Sequence, residues 1–245
     1  RRGTRSCVSR TKKQGLRPLF CLVKCDSLPS MSKKVLVGMS GGVDSSVSAA
    51  LLLEQGYEVV GAFMKNWSDG EKKEECSWRT ERRDAMRVAA QLGIELLTFD
   101  FEDEYRQHVY NYMIDEYKAG RTPNPDVLCN KYMKFGFLLR EAEKLNCDYI
   151  ATGHYARTKV DDDGTTHLLA GKDQNKDQSY FLCRLNQEQL KKTLFPIGEL
   201  EKTAVREKAH ALNLVVADKK DSQGICFVGK VKMQDFLAER IPEQS

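Results

Sequence analysis

Three short stretches of this chain bring together residue types that do chemistry. The first is Gly38-Met39-Ser40-Gly41-Gly42-Val43-Asp44-Ser45-Ser46, which follows the apolar run Val35-Leu36-Val37 and leads into a helix-forming segment ending near Leu53. Its glycines let the backbone turn sharply and admit another group close to it. The helix that follows turns its unpaired N–H groups and positive dipole end back over the strand, which makes an anion site. Ser40, Ser45 and Ser46 add hydroxyls, and Asp44 adds a carboxylate suited to a metal or a helix start. The second stretch is Gly120-Arg121-Thr122-Pro123-Asn124-Pro125-Asp126-Val127-Leu128-Cys129-Asn130-Lys131, whose proline and polar content suits an active-site loop rather than a core. Cys129 stands just before a helix expected from about residue 131, with Lys131 and Lys134 nearby, and a helix start and cations both favour a thiolate. Asp126 is placed to take or give a proton. The third is Asp221-Ser222-Gln223-Gly224-Ile225-Cys226-Phe227-Val228-Gly229, where glycines on either side of Cys226 suggest a mobile or sharply turned segment.

The commoner phosphate loops are absent: no G-x-x-x-x-G-K-[ST] and no G-x-G-x-x-G occurs. S-G-G-V-D-S instead resembles the pyrophosphatase loop of the N-type ATP pyrophosphatases, which split ATP into AMP and pyrophosphate and activate a carbonyl oxygen by adenylating it. A plain αβ turn that binds nothing seldom gathers two glycines and three serines. The eight cysteines include no C-x-x-C pair, which argues against a zinc ribbon or a thioredoxin-type site, and no tightly bound metal or iron–sulfur cluster is expected. Cys147 and Cys183 look like ordinary packing, and His108, His167 and His210 like isolated surface or core residues. Trp67 and Trp78, near Lys65 and Arg79, fit an RNA-stacking patch and fit strand-end packing equally well.

These residues need a scaffold, and the pattern from Met31 onward supplies one. Residues 35–37, 57–64, 94–101 and 148–152 read as buried strands. Helices are expected over 80–92, with Ala85, Val88, Ala89 and Leu92 inward, and over 102–118, with Tyr105, Val109 and Tyr112 on one face and Gly120 as the cap. A third, over 131–145, presents Phe135, Leu138, Leu139 and Ala142. Residues 161–164 form a turn before an edge strand at 165–170. Helices follow over 187–192 and 203–211, and 214–217 is expected as the last strand of the sheet. The alternation predicts an α/β fold, a Rossmann-like parallel sheet with helices on both faces and ligands beyond the carboxyl ends of its strands.

At 41% hydrophobic and 30% charged, the 245 residues have the composition of a soluble protein. No apolar run approaches the ~18 residues of a membrane span, and no membrane association is expected. The net charge of +4 is unevenly spread: residues 1–30 hold eight Lys or Arg against Asp26 alone, leaving 31 basic and 34 acidic residues elsewhere. Nucleic-acid contact therefore needs a local basic patch rather than a bulk field. The Arg-rich opening segment matches an organellar transit peptide, and equally matches translated sequence upstream of a start at Met31. The first places the protein in mitochondria and the second in the cytoplasm, both reducing compartments that suit the cysteine usage. The expected organisation is an extension over 1–30, a catalytic domain over 31–226, and the truncated start of a second domain over 227–245.

A sharper resemblance rests on five segments: F-M-K-N-W (Phe63 to Trp67), G-R-T-P-N-P-D-V-L-C-N-K (Gly120 to Lys131), A-T-G-H-Y-A-R (Ala151 to Arg157), N-K-D-Q-S-Y-F-L (Asn175 to Leu182) and D-S-Q-G-I-C-F-V-G (Asp221 to Gly229). In order and spacing they resemble the tRNA-specific 2-thiouridylase family over residues 33–245. The ATP loop alone also fits GMP, NAD and argininosuccinate synthetases, but the two cysteine segments do not. The resemblance implies that Gly38, Met39, Ser40, Gly41, Gly42, Val43, Asp44 and Ser45 surround the phosphates of ATP, accompanied by Mg²⁺, with Met64 and Gly153 near the adenosine. It implies that Asn124, Pro125 and Asp126 contact the target uridine, and that His154, Lys176, Asp177 and Gln178 contact tRNA. Cys226 would carry a persulfide supplied by a sulfur-donor protein, a sulfur relay or a cysteine desulfurase. Cys129 would be the second catalytic cysteine and Asp126 the acid/base. In that chemistry the C2 oxygen of a wobble uridine is adenylated, sulfur displaces AMP to give 2-thiouridine, and a Cys129–Cys226 disulfide remains to be reduced. An amide-forming synthetase would need an ammonia source, and no glutaminase-like segment is present. A non-catalytic nucleotide-binding module would have no use for two such thiols. Family members continue beyond this point into two smaller β-rich domains.

Overall fold

Val35, Leu36 and Val37 have no solvent exposure because the strand they form, β1 (Lys34–Gly38), is the middle of the main sheet. The computed structural model describes residues 32–68, 77–221, 233–238 and 240–241. Cys226 lies outside them. After the glycine turn come α1 (Val43–Glu54), β2 (Glu58–Lys65), α2 (Ser77–Leu92) and β3 (Leu96–Asp100). β2 and β3 build outward on one side of β1. The chain then crosses to the other side, where β4 (Tyr149–Ala151) pairs with β1, Leu36 opposite Ile150. All these pairings are parallel, and the reversal of direction at β1 opens a crevice at the carboxyl ends of β1 and β4. One face packs Val35, Val37 and Phe63 against α1 and α2 through Val47, Leu52, Ala85 and Val88. The other packs Leu36, Ala62 and Ile150 against the helices between β3 and β4. This is the doubly wound α/β sheet that the strand–helix alternation predicts.

Two long helices of that second face depart from α geometry. The first runs as α3 (Glu102–Tyr105), a π-helical segment (Arg106–Tyr110) and α4 (Asn111–Lys118). The second runs as α5 (Pro125–Leu128), a π-helical segment (Cys129–Phe137) and α6 (Leu138–Lys144). A π turn holds an extra residue, so the buried face slips along the sequence. Tyr112, expected inside, is 41% exposed, and Met113 and Ile114 take the core positions. In the second helix Phe135, Leu138, Leu139 and Ala142 are buried as expected. There the wide winding brings the Lys131 carbonyl against Gly136, where a Cβ would stand 3.1 Å away. The Phe135 carbonyl accepts from Gln189 Nε2 at 2.7 Å.

The remainder corrects several expectations. The turn at 161–164 and the edge strand after it form as expected, but in a sheet of their own: β5 (Ala156–Val160) and β6 (Thr166–Ala170) make a separate antiparallel hairpin. After α7 (Gln187–Lys191), the fifth strand of the main sheet is β7 (Thr193–Leu194), beside β4, too short to register as a periodic pattern. Residues 214–217 are not a strand. α8 (Lys202–Ala211) ends, Asn213 turns the chain with φ 50°, and residues 215–218 form a turn whose carbonyl at Ala217 accepts from Arg206 Nη1 at 3.1 Å. Leu214, Val216 and Ala217 are buried all the same. α9 (Met233–Ala238) follows, its Phe236 edge-on to Tyr110 at 6.2 Å. Among the described residues, no helix is long and apolar enough to cross a membrane.

The slipped register makes a direct prediction. Met113→Ala should destabilise the fold by about 2–5 kcal/mol, the cost of a buried large-to-small change. Tyr112→Ala should stay within about 0.5 kcal/mol of wild type. Urea unfolding of both variants checks it, and the reverse ranking would return the helix to α winding.

Candidate active site

The turn after β1 has the geometry of an anion site. Gly41 adopts φ +73°, and a Cβ there would lie 2.2 Å from the Glu81 carbonyl of α2, so both conformation and space demand glycine. α1 begins at Gly42 with no side-chain cap, which leaves its first N–H groups facing the crevice. The serines shape this turn from within. Ser45 and Ser46 Oγ donate to the Gly42 carbonyl at 3.2 and 2.7 Å, and Gly42 N–H donates to Ser40 Oγ at 3.4 Å. Ser46 is fully buried and belongs to the scaffold, whereas Ser40 is exposed. Gly153, just past β4, is needed for close packing: a Cβ there would meet the Ser45 nitrogen at 2.7 Å. Met64 brings its Cε to 3.8 Å from the Cβ position of Gly38.

Asp44 is the hub of an ion network that the sequence reading missed. Lys202, the first residue of α8, donates from Nζ to Asp44 Oδ1 and Oδ2 at 2.7 and 2.9 Å and approaches Asp221 Oδ1 at 2.8 Å. Lys176 and Arg206 reach the same Asp221 at 3.0 and 2.8 Å. Burial pushes the Asp221 carboxyl up, but the hydrogen bonds and fields of Lys202 and Lys176 outweigh it and bring the pKa down to about 2. Tyr155 OH donates to Asp44 Oδ1 at 2.9 Å. Burial first, then the Asp44 charge, raises that phenol far above its ordinary value, so it stays a donor. Lys219 Nζ donates to the Gly41 carbonyl at 2.9 Å and to Asp84 at 2.7 Å. Asp173 joins the cluster by accepting from the Lys202 backbone N–H at 2.9 Å, so Lys202, Lys176 and Arg206 are balanced by Asp44, Asp173 and Asp221.

The expected tRNA-contact turn is tied to this network. Lys176 enters it through Asp221. Gln178 Oε1 accepts from the Tyr155 N–H at 3.1 Å. Asp177 accepts from Gly171 N–H at 2.9 Å and from Ser179 Oγ at 2.9 Å; burial raises its pKa, but the N–H groups of Gly171 and Ser179 outweigh this and lower it. His154 is buried, with Nδ1 at 2.8 Å from Thr152 Oγ1 and Nε2 at 3.5 Å from Lys134 Nζ. Burial, then the Lys134 charge, drops its pKa well below 6.5, so the imidazole is neutral. Of the tryptophans, Trp67 is packed rather than presented, stacked on Tyr110 at 4.8 Å with Arg106 over its ring at 5.1 Å.

The 120–131 stretch is more ordered than its composition suggests. Asn124 Oδ1 accepts from the N–H groups of Asp126 and Val127 at 3.2 and 3.4 Å, capping α5, and Pro125 takes the first helical position. Asp126 is half-buried in the first turn. Cys129 is therefore one turn inside the helix and 1% exposed in the core with Met133 and Trp67. This corrects the expectation of an open loop: an Asn-Pro start winds the polar residues outward and the thiol inward. Cys183, expected as packing, is exposed.

Among the described residues no cluster of three or more His, Cys, Asp or Glu could hold a metal. Asp44 and Asp221, bridged by one ammonium, are two carboxylates on the crevice. A Mg²⁺ ion arriving with phosphate oxygens needs only one or two carboxylates, so this donor set fits a metal carried in by a nucleotide.

Fold and site define a doubly wound α/β domain with an uncapped, glycine-led helix start at its central strand, flanked by cations. Residues 33–230 match the family described as the tRNA methyl transferase HUP domain, and the chain belongs to it. It is 57% identical over 214 residues to the tRNA-specific 2-thiouridylase MnmA of Christiangramia forsetii, covering 85% of this chain and 54% of that protein. It is 54% identical over 217 residues to the protein of the same name from Lacticaseibacillus paracasei, covering 89% of this chain and 58% of that one. The chain thus spans little more than half the length of these relatives. Among solved structures, an NMN synthetase from Francisella tularensis aligns over 87% of this chain and 79% of that one with 16% identity and a TM-score of 0.47, too distant to carry an argument.

The buried imidazole makes stability depend on pH. His154 stays neutral in the fold but takes a proton near pH 6.5 once unfolded, so the unfolded state binds more protons as pH falls and stability drops. The slope should reach up to about 1.4 kcal/mol per pH unit below that point. His154→Gln should flatten it, as measured by urea unfolding between about pH 7 and pH 5.

Proposed function

We propose that this chain is the ATP-using half of a tRNA 2-thiouridylase, a sulfurtransferase. The observation that carries the reading is the uncapped start of α1, with Asp44 held by Lys202 and Tyr155 beside it. The names of the relatives supply the substrate class. In this reading the α1 N–H groups and Ser40 bind phosphate oxygens, and Lys202, Lys219 and Lys176 offset the charge of the pyrophosphate that leaves. A Mg²⁺ ion brought by ATP and held at Asp44 would neutralise phosphate charge. The uridine C2 oxygen attacks the α-phosphorus, pyrophosphate departs, and the oxygen becomes part of AMP.

Sulfur transfer then uses the two thiols. The terminal sulfur of a Cys226 persulfide attacks C2 and AMP leaves. The Cys129 thiolate attacks the inner sulfur of Cys226, and the S–S bond to the transferred sulfur breaks as the Cys129–Cys226 disulfide forms. A dithiol reductant restores both thiols, and a sulfur-donor protein reloads Cys226. Such a cycle suits a reducing compartment, cytoplasmic or mitochondrial. Cys129 is buried in the present conformation, so its helix start must open toward the incoming sulfur. Asp126, in the first turn of α5, serves as the acid/base. Lys176, Asp177, Gln178 and His154 line the tRNA side, Asp177 by holding the N–H groups of Gly171 and Ser179 and His154 through the Thr152 hydroxyl.

The protein, with tRNA, should convert ATP to AMP and pyrophosphate; release of ADP would refute the reading. Asp44→Ala should lower AMP formation about a hundredfold or more, and because Lys202 and Tyr155 lose a partner it should also lower the melting temperature while a cooperative unfolding transition remains. Cys129→Ser should still accept a persulfide on Cys226 but stop turnover. Peptide mapping after one turnover without reductant should find a Cys129–Cys226 crosslink in wild type; two free thiols beside thiolated tRNA would sink the scheme.

A further inference from the structure

The helix that carries Cys129 is held from outside by one side-chain amide. Gln189, in α7, donates from Nε2 to the Phe135 carbonyl at 2.7 Å and, at longer range, to the Lys131 carbonyl at 3.5 Å. Both carbonyls belong to the π-helical run Cys129–Phe137, a rare winding that occurs frequently at functional sites. The Lys131 carbonyl is also the atom against which Gly136 packs. One amide therefore bridges a turn of the run that starts at Cys129.

α7 is only five residues long, yet it is a rigid mount. Asn186 Oδ1 accepts from the Gln189 N–H at 2.9 Å and Gln189 Oε1 accepts from the Asn186 N–H at 3.0 Å, a reciprocal capping box. Gln187 exchanges two bonds of 2.8 Å with the backbone of Thr166 in β6, and Thr193 Oγ1 in β7 donates to the Gln189 carbonyl at 2.7 Å. These partners fix which end of the Gln189 amide is nitrogen, because Oε1 faces an N–H and Nε2 faces two carbonyls. The choice of residue is informative. Glutamate would close the same box and add a favourable negative charge at a helix start. Glutamine alone also supplies a donor, and that donor goes to the Cys129 helix. Cys129 is 1% exposed, and its neighbour Asn130 donates from Nδ2 to the Phe181 carbonyl at 3.3 Å, so the start of the run is tied on a second side. A buried thiol reacts in proportion to the fraction of time its surroundings open, and bonds that must break for opening lower that fraction.

We propose that Gln189 is a positioning residue for Cys129: its amide clamps the π-helical run and sets how readily the buried thiol is exposed. Its meaning for catalysis rests on the reading of Cys129 as the second catalytic thiol. The test is the rate at which N-ethylmaleimide modifies each cysteine, read by peptide mapping without ATP or tRNA, in wild type, Gln189→Glu and Gln189→Ala. Gln189→Glu keeps the capping box and exchanges only the nitrogen that touches the run, whereas Gln189→Ala removes cap and clamp together. Cys147, half-buried just beyond the end of α6 and packed against the same core, is the internal reference. Cys129 should be modified about tenfold faster in both variants, the factor that one lost hydrogen bond gives, while Cys147 in Gln189→Glu stays within about twofold of its wild-type rate. An unchanged Cys129 rate in both variants overturns the assignment. So does a rise in Gln189→Ala alone, which would trace the effect to the cap, or an equal rise at Cys129 and Cys147, which would be general loosening. The reading of Cys129 as a catalytic thiol fails separately, if Cys129→Ser still thiolates tRNA over repeated turnovers.

Discussion

A single ammonium holds the nucleotide loop to the rest of the molecule. Lys202 stands at the first residue of α8, where the helix dipole opposes a cation, and its side chain is only 12% exposed. It is tolerated because Asp44 and Asp221 meet it at 2.7 and 2.8 Å. Loss of either carboxylate would leave a poorly solvated charge facing a helix start. The start of α1, the start of α8 and the chain just before the 222–230 segment are thereby fixed together. Tyr155 adds a fourth anchor from β4's exit, and Gln178 holds Tyr155 through its backbone N–H. The turn expected to meet tRNA and the loop expected to hold ATP are thus built from one hydrogen-bonded unit.

The glycine loop was legible in the sequence because strand, turn and helix are contiguous there, so residue type and spacing are the geometry. Lys202 was not, since its partner Asp44 lies 158 positions away. The one local hint is negative: a helix that begins with lysine and has no acid in its first turn must find its counter-charge elsewhere. The buried faces of the helices were read correctly up to the π turns and then failed by one position at Tyr112, because periodicity assumes constant winding. The stretch at 214–217 failed for another reason: an apolar run looks the same whether it pairs as a strand or fills a buried turn, and Asn213 and Arg206 decide between them.

Cys129 shows how composition can mislead where position would not. Proline and polar residues in the 120–131 stretch suggested an open loop, yet Asn124 followed by Pro125 is itself a helix start. Counting from that cap, rather than from Lys131, turns Cys129 toward Met133 and the sheet. Its burial bears on reactivity, since a thiol in the core is shielded from adventitious oxidants until the first turns of its helix move.

The nine-residue π run from Cys129 to Phe137 gives that movement a physical form. An α-helix advances by about 100° per residue, and a π run is an α-helix that has taken in surplus chain. If the surplus were passed toward the N-terminus, the backbone of α5 would turn like a screw about its own axis. Phe135 and Leu138, anchored in the sheet, would stay where they are. The direction in which the Cys129 sulfur faces would then be set by where the surplus residue sits, and the Gly136 position, free of a side chain, would be the point about which it is stored.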